Sequence, residues 1–187
     1  DLSGNILDNP SNQNMTVFTV VKPISGYYIV SSGGQTSSDF GYALSYQAGS
    51  SFSSIRVSNG NGGSGGGPEV TISSEFTAGN IHLVTDVFEG DVNNWTTQVN
   101  AKKFNVATNG LGPYSSNSNG INLFTMGRPN NLANYFAEFE IAEFIVINNT
   151  DADKVAKINA YLAEKWDLTN KVDSDGDGVV DEEDYYP

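Results

Sequence analysis

Residues 173–187 carry acidic side chains at a spacing that could hold a metal ion. The segment reads DSDGDGVVDEEDYYP, with aspartates at loop positions 1, 3, 5, 9 and 12 and glycine at position 6. Calcium takes about six to eight oxygen ligands, which a loop supplies by turning alternate groups inward. Glycine fits the sharp turn because it lacks a Cβ. The predicted calcium ligands are Asp173, Asp175, Asp177, the backbone carbonyl of Val179, Asp181 and Asp184.

The composition excludes several classes of function. The chain has 187 residues, no cysteine and a net charge of −13. Many of its acidic residues lie in the 173–187 segment. Disulfides and thiolate chemistry are therefore excluded, and without a basic stripe a nucleic-acid partner is not expected. No apolar run approaches the ~20 residues of a membrane span, so no membrane insertion is expected. The chain begins at Asp1 without a methionine and ends just past the acidic motif, which leads us to expect a piece of a longer protein.

Short apolar runs separated by glycine, asparagine and serine predict an all-β domain. The predicted strands are residues 15–21, 27–30, 41–46, 54–57, 81–88, 95–99, 121–127 and 136–148. Repeated short strands without intervening helices favour an antiparallel β-sandwich or jelly roll. The glycine-rich stretch 59–68 predicts a surface loop, because ordering it would cost backbone entropy without any packing gain.

One helix is predicted over residues 151–167. Acidic residues at its start suit a helix N-terminus, and Val155, Ile158, Leu162 and Trp166 recur on one helical face. We expect this apolar stripe to pack on the sandwich. The predicted domains are a β-sandwich over 1–170 and a calcium-binding segment over 171–187.

Two segments carry a family resemblance. Residues 136–149 (FAEFEIAEFIVINN) and 157–166 (KINAYLAEKW) resemble the closing segment of bacterial laminin-G-like domains, which belong to the concanavalin A-like lectin/glucanase superfamily. Phe139 and Ala101 depart from that pattern, since glycine is usual at both places. The 173–187 segment resembles a thrombospondin type 3 repeat, which implies a calcium-stiffened connector between neighbouring domains of one long chain. Pro187 argues against an exit helix, and so against a calcium sensor.

Glu138, Glu140 and Glu143 are the one pattern that suggests catalysis. Laminarinase- and agarase-type glycosidases on the resembled fold carry E-x-D-x-x-E, and retaining chemistry places two carboxyls ~5–5.5 Å apart. In a regular strand Glu143 points away from the other two unless a bulge turns it. We therefore expect no enzyme, with a glycosidase using Glu138 and Glu143 as the alternative. His82 is the single histidine and cysteine is absent, so a zinc site has almost nothing to build on, and a lone histidine is more often a surface or hydrogen-bonded residue than the base of a Ser-His-Asp triad.

A sugar ligand would need aromatic faces and short polar side chains on loops. The positions predicted to bind such a ligand are Trp95, Tyr114, Asn117 and Tyr135. Most aromatic side chains in a sandwich belong to its core, so a core role is the competing interpretation for each tyrosine and for Trp95. Trp166 is assigned to the contact between helix and sheet.

The sequence as a whole predicts a non-catalytic recognition or spacer module of a large bacterial surface or secreted protein. Its expected partners are a glycan or cell-surface ligand and the neighbouring domains of the same chain. The expected cofactor is Ca²⁺, and the expected location is extracellular, where calcium is abundant. A purely structural spacer that binds no ligand is a further alternative.

Overall fold

The computed structural model describes residues 14–33, 40–46, 54–57, 69–90, 95–105, 123–127 and 136–185. Within these ranges the chain is mostly β-structure with one helix. The elements in chain order are β1 (Asn14–Gly26), β2 (Tyr28–Gly33), β3 (Phe40–Ser45), β4 (Ser54–Val57), β5 (Glu69–Thr71), β6 (His82–Glu89), β7 (Trp95–Val99), β8 (Lys102–Asn105), β9 (Leu123–Met126), β10 (Ala137–Ile147) and α1 (Ala152–Lys165).

The strands form two five-stranded sheets. The first sheet has the order β10-β1-β6-β7-β8, and the second has the order β5-β4-β3-β2-β9. Neighbouring strands pair antiparallel in both sheets. The prediction of antiparallel sheets with one helix near the carboxyl end is therefore confirmed.

The two faces of the first sheet serve two separate cores. Alternate side chains of a strand point to opposite faces. From β1, Met15 and Val17 pack toward the second sheet, against Ile29, Tyr42 and Leu44. The intervening Phe18 and Val20 join Leu83 of β6 in a cluster on the outer face, which is covered by α1 and the turn after it through Leu162, Ala163, Leu168 and Val172.

Helix α1 begins and ends at recognisable signals. The Asp151 carboxylate caps it by accepting the Lys154 backbone N–H at 3.1 Å. Asp167, at φ +56°, ends it in the left-handed region. The predicted stripe of Val155, Ile158, Leu162 and Trp166 faces the outer cluster of the first sheet, which confirms the expected packing. No helix of the described residues is long and apolar enough to cross a membrane.

Strand β1 runs further than predicted. The sequence suggested a stop at Pro23, but the strand continues to Gly26. The last β1–β6 pair is Val21 with His82, so Pro23 is paired only with β10. Because proline has no N–H, it can lie here without breaking a hydrogen bond between β1 and β6. Strands β5 and β8 were not predicted, because three- and four-residue polar segments give no periodic signal. The predicted loop 59–68 lies outside the described residues.

Gly26 makes the crossing from the first sheet to the second possible. Its φ is +98°, and a Cβ at this position would lie 2.0 Å from the Phe136 carbonyl oxygen. The Tyr27 N–H donates to that same carbonyl at 3.0 Å. A larger residue at position 26 would push the start of β10 away from β1 and break this hydrogen bond. The glycine therefore allows β1 and β2 to lie in different sheets.

Replacing Leu162 with alanine should destabilise the protein by about 2–5 kcal/mol, because it removes a fully buried side chain between α1 and the first sheet. Urea unfolding at fixed calcium concentration measures this loss. Tyr161→Ala is the matched control, since the neighbouring Tyr161 is 56% exposed and should cost far less. Equal losses for the two variants would contradict the docking of α1 described above.

Candidate functional site

The acidic loop leaves the body of the domain from a buried anchor. After α1, the Val172 N–H donates to the Leu168 carbonyl at 2.9 Å. Val172 is fully buried in the outer cluster of the first sheet. The predicted boundary at 170/171 stays a prediction, but Val172, just beyond it, packs with the sandwich.

Carboxylates fold the loop by accepting backbone N–H groups. Asp173 accepts Gly176 N–H at 2.6 Å through Oδ1 and Gly178 N–H at 2.9 Å through Oδ2. Asp175 accepts the Asp177 N–H at 3.0 Å, and Asp177 accepts the Val179 N–H at 2.8 Å. Such side-chain-to-backbone bonds curl a short segment tightly. One carboxylate oxygen from each of Asp173, Asp175 and Asp177 consequently lies within 4.8 Å of the others.

Two glycines make this curl possible. Gly178, at the predicted sixth position, has φ +103°, and Gly176 has φ +79°. Both values lie in the left-handed region, which side chains with a Cβ rarely adopt. The sequence pattern indicated Gly178, whereas the role of Gly176 emerges only from the structure.

These three aspartates could hold a metal ion. Carboxylates this close repel one another by on the order of 1 kcal/mol per pair, even in a water-like dielectric. A cation between them would turn that repulsion into attraction. The group offers only oxygen donors, and such donors suit hard cations such as Ca²⁺ and Mg²⁺.

The structure uses the later acidic positions differently. Asp181 accepts the Ser174 N–H at 2.7 Å through Oδ1 and the Ser174 hydroxyl at 2.6 Å through Oδ2. It therefore ties the end of the loop back to its beginning. Neither Asp181 nor Asp184 belongs to the three-carboxylate group. Ligation by Asp181, Asp184 and the Val179 carbonyl stays a prediction.

The body of the domain holds the loop from below. The Gln98 amide nitrogen on β7 donates to the Asp173 carbonyl at 2.5 Å, and Lys103 on β8 donates to the Gly176 carbonyl at 3.2 Å. The Asp181 N–H donates to the Val172 carbonyl at 2.8 Å. Sequence reasoning missed Gln98 and Lys103, because no local pattern reveals contacts across more than seventy residues.

A bulge in β10 decides where its glutamates point. The β1–β10 register shifts between Val20 and Val21, which pair with Glu143 and Ile141. Phe139 and Phe144 pack toward the inner core, whereas Ile145 packs toward α1. The extra residue turns Glu143 to the outer face that Glu138 and Glu140 also occupy.

The three glutamates have separate partners on that face. Glu138 accepts the Ser25 hydroxyl at 3.2 Å, Glu140 pairs with Lys22 at 3.1 Å, and Glu143 pairs with Lys165 of α1. The hydrogen bond to Glu143 raises the pKa of Lys165. Glu138 and Glu143 pair with positions five residues apart in β1, roughly 16 Å along a strand. They do not form a converged carboxyl pair, which argues against a glycosidase site that uses both residues.

Of the predicted sugar-binding residues, the structure describes only Trp95, and it corrects that prediction. Trp95 is 3% exposed and stacks on Phe88 in the inner core, with ring centroids 5.2 Å apart. It therefore has no free face for a ligand. Tyr114, Asn117 and Tyr135 lie outside the described residues.

His82 is a buried residue with satisfied hydrogen bonds. Asn100 accepts the Leu83 N–H through Oδ1 at 3.0 Å, so its amide nitrogen faces His82 Nδ1 at 3.1 Å and donates to it. The ring proton then lies on Nε2 and is donated to the Thr77 carbonyl at 3.0 Å; the Thr77 N–H, 3.2 Å from Nε2, would be accepted only by the other tautomer. Burial lowers the pKa of His82. These contacts account for the histidine without any catalytic role.

Asp86 is a buried carboxylate that sequence reasoning did not single out. It lies in the inner core, where Tyr42 of the second sheet donates to Oδ2 at 2.8 Å and Thr97 donates to Oδ1 at 2.6 Å. Burial raises the pKa of Asp86 to about 6, although the two hydroxyl donors act in the opposite direction. Burial also raises the pKa of Tyr42. The contact links the two sheets through a polar group.

Comparison with known proteins gives a structural likeness but no family. No protein-family model and no curated protein matches the chain. A Trypanosoma rangeli sialidase in complex with sialic acid matches with TM-score 0.45 and 14% identity, over 74% of this chain and 21% of that one. The same sialidase in complex with the inhibitor DANA matches with TM-score 0.44 and 13% identity, over the same shares. The predicted resemblance is thus supported only as far as a β-rich domain.

The expectation that the chain is not an enzyme is contradicted by this comparison, because the matching structures just described are enzymes. We withdraw that expectation. The chain spans about a fifth of the sialidase chains, and at these TM-scores the likeness carries no assignment of sialidase activity either.

Asp86→Asn should change how stability depends on pH. The folded state binds the Asp86 proton more tightly than the unfolded state does. The stability that this proton contributes to the folded state is therefore fully present below pH 3.8 and is lost as pH rises through about 6. This loss amounts to up to about 3 kcal/mol between pH 4 and 7. Urea unfolding across that range should show a smaller decline for the variant than for the parent protein.

The exposed Asp153→Asn variant is the matched control and should keep the parent's pH dependence. The lowered pKa of His82 acts in the opposite direction in all three proteins, so their differences isolate Asp86. Identical pH profiles for Asp86→Asn and the parent would show that Asp86 does not carry this proton.

Proposed function

We propose that this chain is a calcium-stabilised recognition or spacer module of a large exported or cell-surface bacterial protein. Its sheets would then form a jelly roll of the concanavalin A-like kind, and its acidic loop would connect it to the next domain. The observation that carries the proposal is the convergence of Asp173, Asp175 and Asp177 within 4.8 Å.

Calcium is the ion that this loop suits best. Its donors are oxygens, its spacing of 1, 3, 5, 9 and 12 matches a calcium loop, and its glycines allow the tight curl. Magnesium holds its waters strongly and demands near-octahedral geometry, so it fits a flexible, carboxylate-rich loop less well. A loop of this kind fills readily where calcium is millimolar, which supports an extracellular location.

The contacts below the loop support a connector rather than a sensor. Val172 is buried beneath the loop, and Gln98 and Lys103 hold its backbone to β7 and β8. A sensor needs an element that moves when the ion binds. Here an ion would stiffen a segment that is already docked, and would so fix the direction in which the chain leaves the sandwich.

Calcium should raise the melting temperature of the protein, and Asp175→Ala combined with Asp177→Ala should abolish this effect. An ion at a hundred times its Kd stabilises the folded state by about 2.7 kcal/mol, which corresponds to roughly 5–10 °C in a domain of this size. Differential scanning calorimetry with calcium, with magnesium and with chelator measures the shift.

Glu182→Ala combined with Glu183→Ala is the matched control, because it removes the same charge from exposed positions outside the carboxylate group. This control should keep the calcium shift. Equal melting curves of the parent in calcium and in chelator would overturn the calcium assignment.

Recognition and spacing make different predictions for a glycan array. A recognition module, probed in calcium, should bind a defined subset of glycans, and the parent and the Glu182→Ala/Glu183→Ala variant should bind alike. A spacer should bind none. Absence of binding across neutral and acidic glycans would remove recognition and leave the spacer.

A further inference from the structure

A cleft lies between α1, the outer face of the first sheet and the acidic loop. Its volume is about 260 Å³. Thr85 and Gln98 form part of its sheet side, Val155 and Asn159 line its helix side, and Asp175 belongs to its loop side. Pockets for drug-sized ligands start near ~300 Å³, so this cleft suits a smaller molecule of about one ring.

The lining groups favour a neutral molecule rich in hydroxyl groups. Threonine hydroxyls and carboxamides both donate and accept hydrogen bonds, as sugar hydroxyls do. Val87 and Ala156 add apolar surface against which C–H groups can pack. The charged residues of the lining are Glu89, Asp175 and a single lysine, Lys103, which together give no net positive charge to hold an anion.

Asn159 supplies an observation that points to a ligand. This side chain is 1% exposed, and its Oδ1 accepts the Thr85 hydroxyl at 2.7 Å. A carboxamide has two polar ends. Among the residues that the structure describes, no hydrogen-bond partner serves the amide nitrogen. A ligand hydroxyl in the cleft would accept a hydrogen bond from this nitrogen.

The acidic loop forms one wall of the same cleft. Ser174 and Asp175 line it, and both are held by the hydrogen bonds that shape the loop. Lys103 also lines the cleft while donating to the Gly176 carbonyl. An ion that fixes Asp175 would therefore fix this wall of the cleft as well.

We propose that this cleft binds a single neutral sugar residue, with Asn159 at its floor and the acidic loop as a wall that calcium completes. The inference rests on the proposed function, because it names the ligand class and place for the recognition role. The calcium ion of the acidic loop would then also order the sugar-binding cleft.

Nitrogen–proton NMR spectra of the labelled protein test the proposal. Galactose, glucose, mannose and N-acetylglucosamine are titrated separately in calcium, with glucuronic acid and sialic acid as anionic comparisons. At least one neutral sugar should shift the amide signals of β6, β7 and the first half of α1 in a saturable way. Its apparent Kd should rise several-fold when chelator replaces calcium.

Two variants localise the effect. Ala156→Leu fills the cleft and should abolish the shifts, whereas Ala160→Leu makes the same change one helical turn on, outside the lining, and should retain them. Thr96→Arg is a second blocking variant at an exposed position of β7, where folding is little affected.

The outcomes separate this inference from the proposed function. Shifts that are absent, that survive both blocking variants or that arise only with the anionic sugars would overturn the cleft proposal. In each of these cases a calcium-dependent melting temperature would leave the calcium-stabilised module standing. Loss of the calcium effect on melting would instead overturn the proposed function.

Discussion

Asp173 is the residue on which the arrangement of the acidic loop depends. Its carboxylate accepts two backbone N–H groups of the loop, and its carbonyl accepts the Gln98 amide from β7. The same residue therefore shapes the loop and attaches it to the first sheet. Val172, directly before it, is buried in the outer cluster with Leu162 and Leu168, so the loop begins at a fixed point of the outer core. An ion bound at this loop would thus be coupled to the stability of the domain.

The outer face of the first sheet brings the functional elements together. Helix α1 covers one part of it, the acidic loop lies over β7 and β8, and the cleft remains between them. The bulge at the Val20–Val21 step directs Glu143 to Lys165 on this same face. The inner face is devoted to packing, with Asp86 and Tyr42 as its polar link between the sheets. Both faces of the sheet therefore hold a buried core, and the cleft lies only on the outer one.

Local sequence signals predicted what depends on local physics. Alternating apolar residues gave most strands, the four-residue stripe gave α1, and the D-x-D-x-D-G spacing gave the convergence of three aspartates. The rest depends on contacts between distant segments. Trp95 lies in the core because β6 pairs with β7. Asp181 holds the end of the loop to its beginning because it accepts the Ser174 hydroxyl. Gln98, Lys103 and the cleft required the packing of α1 and the loop on the sheet, which no single segment encodes.

Hydrogen–deuterium exchange in calcium and in chelator tests most directly whether the acidic loop and the sandwich act as one unit. Calcium is expected to slow exchange in residues 173–184 and also in β7 and the end of α1, since Gln98 and Val172 join them. Slower exchange confined to the loop would mean an independent appendage, and no change anywhere would mean that the loop binds no calcium. Either result would contradict a calcium-binding loop that is coupled to the two sheets.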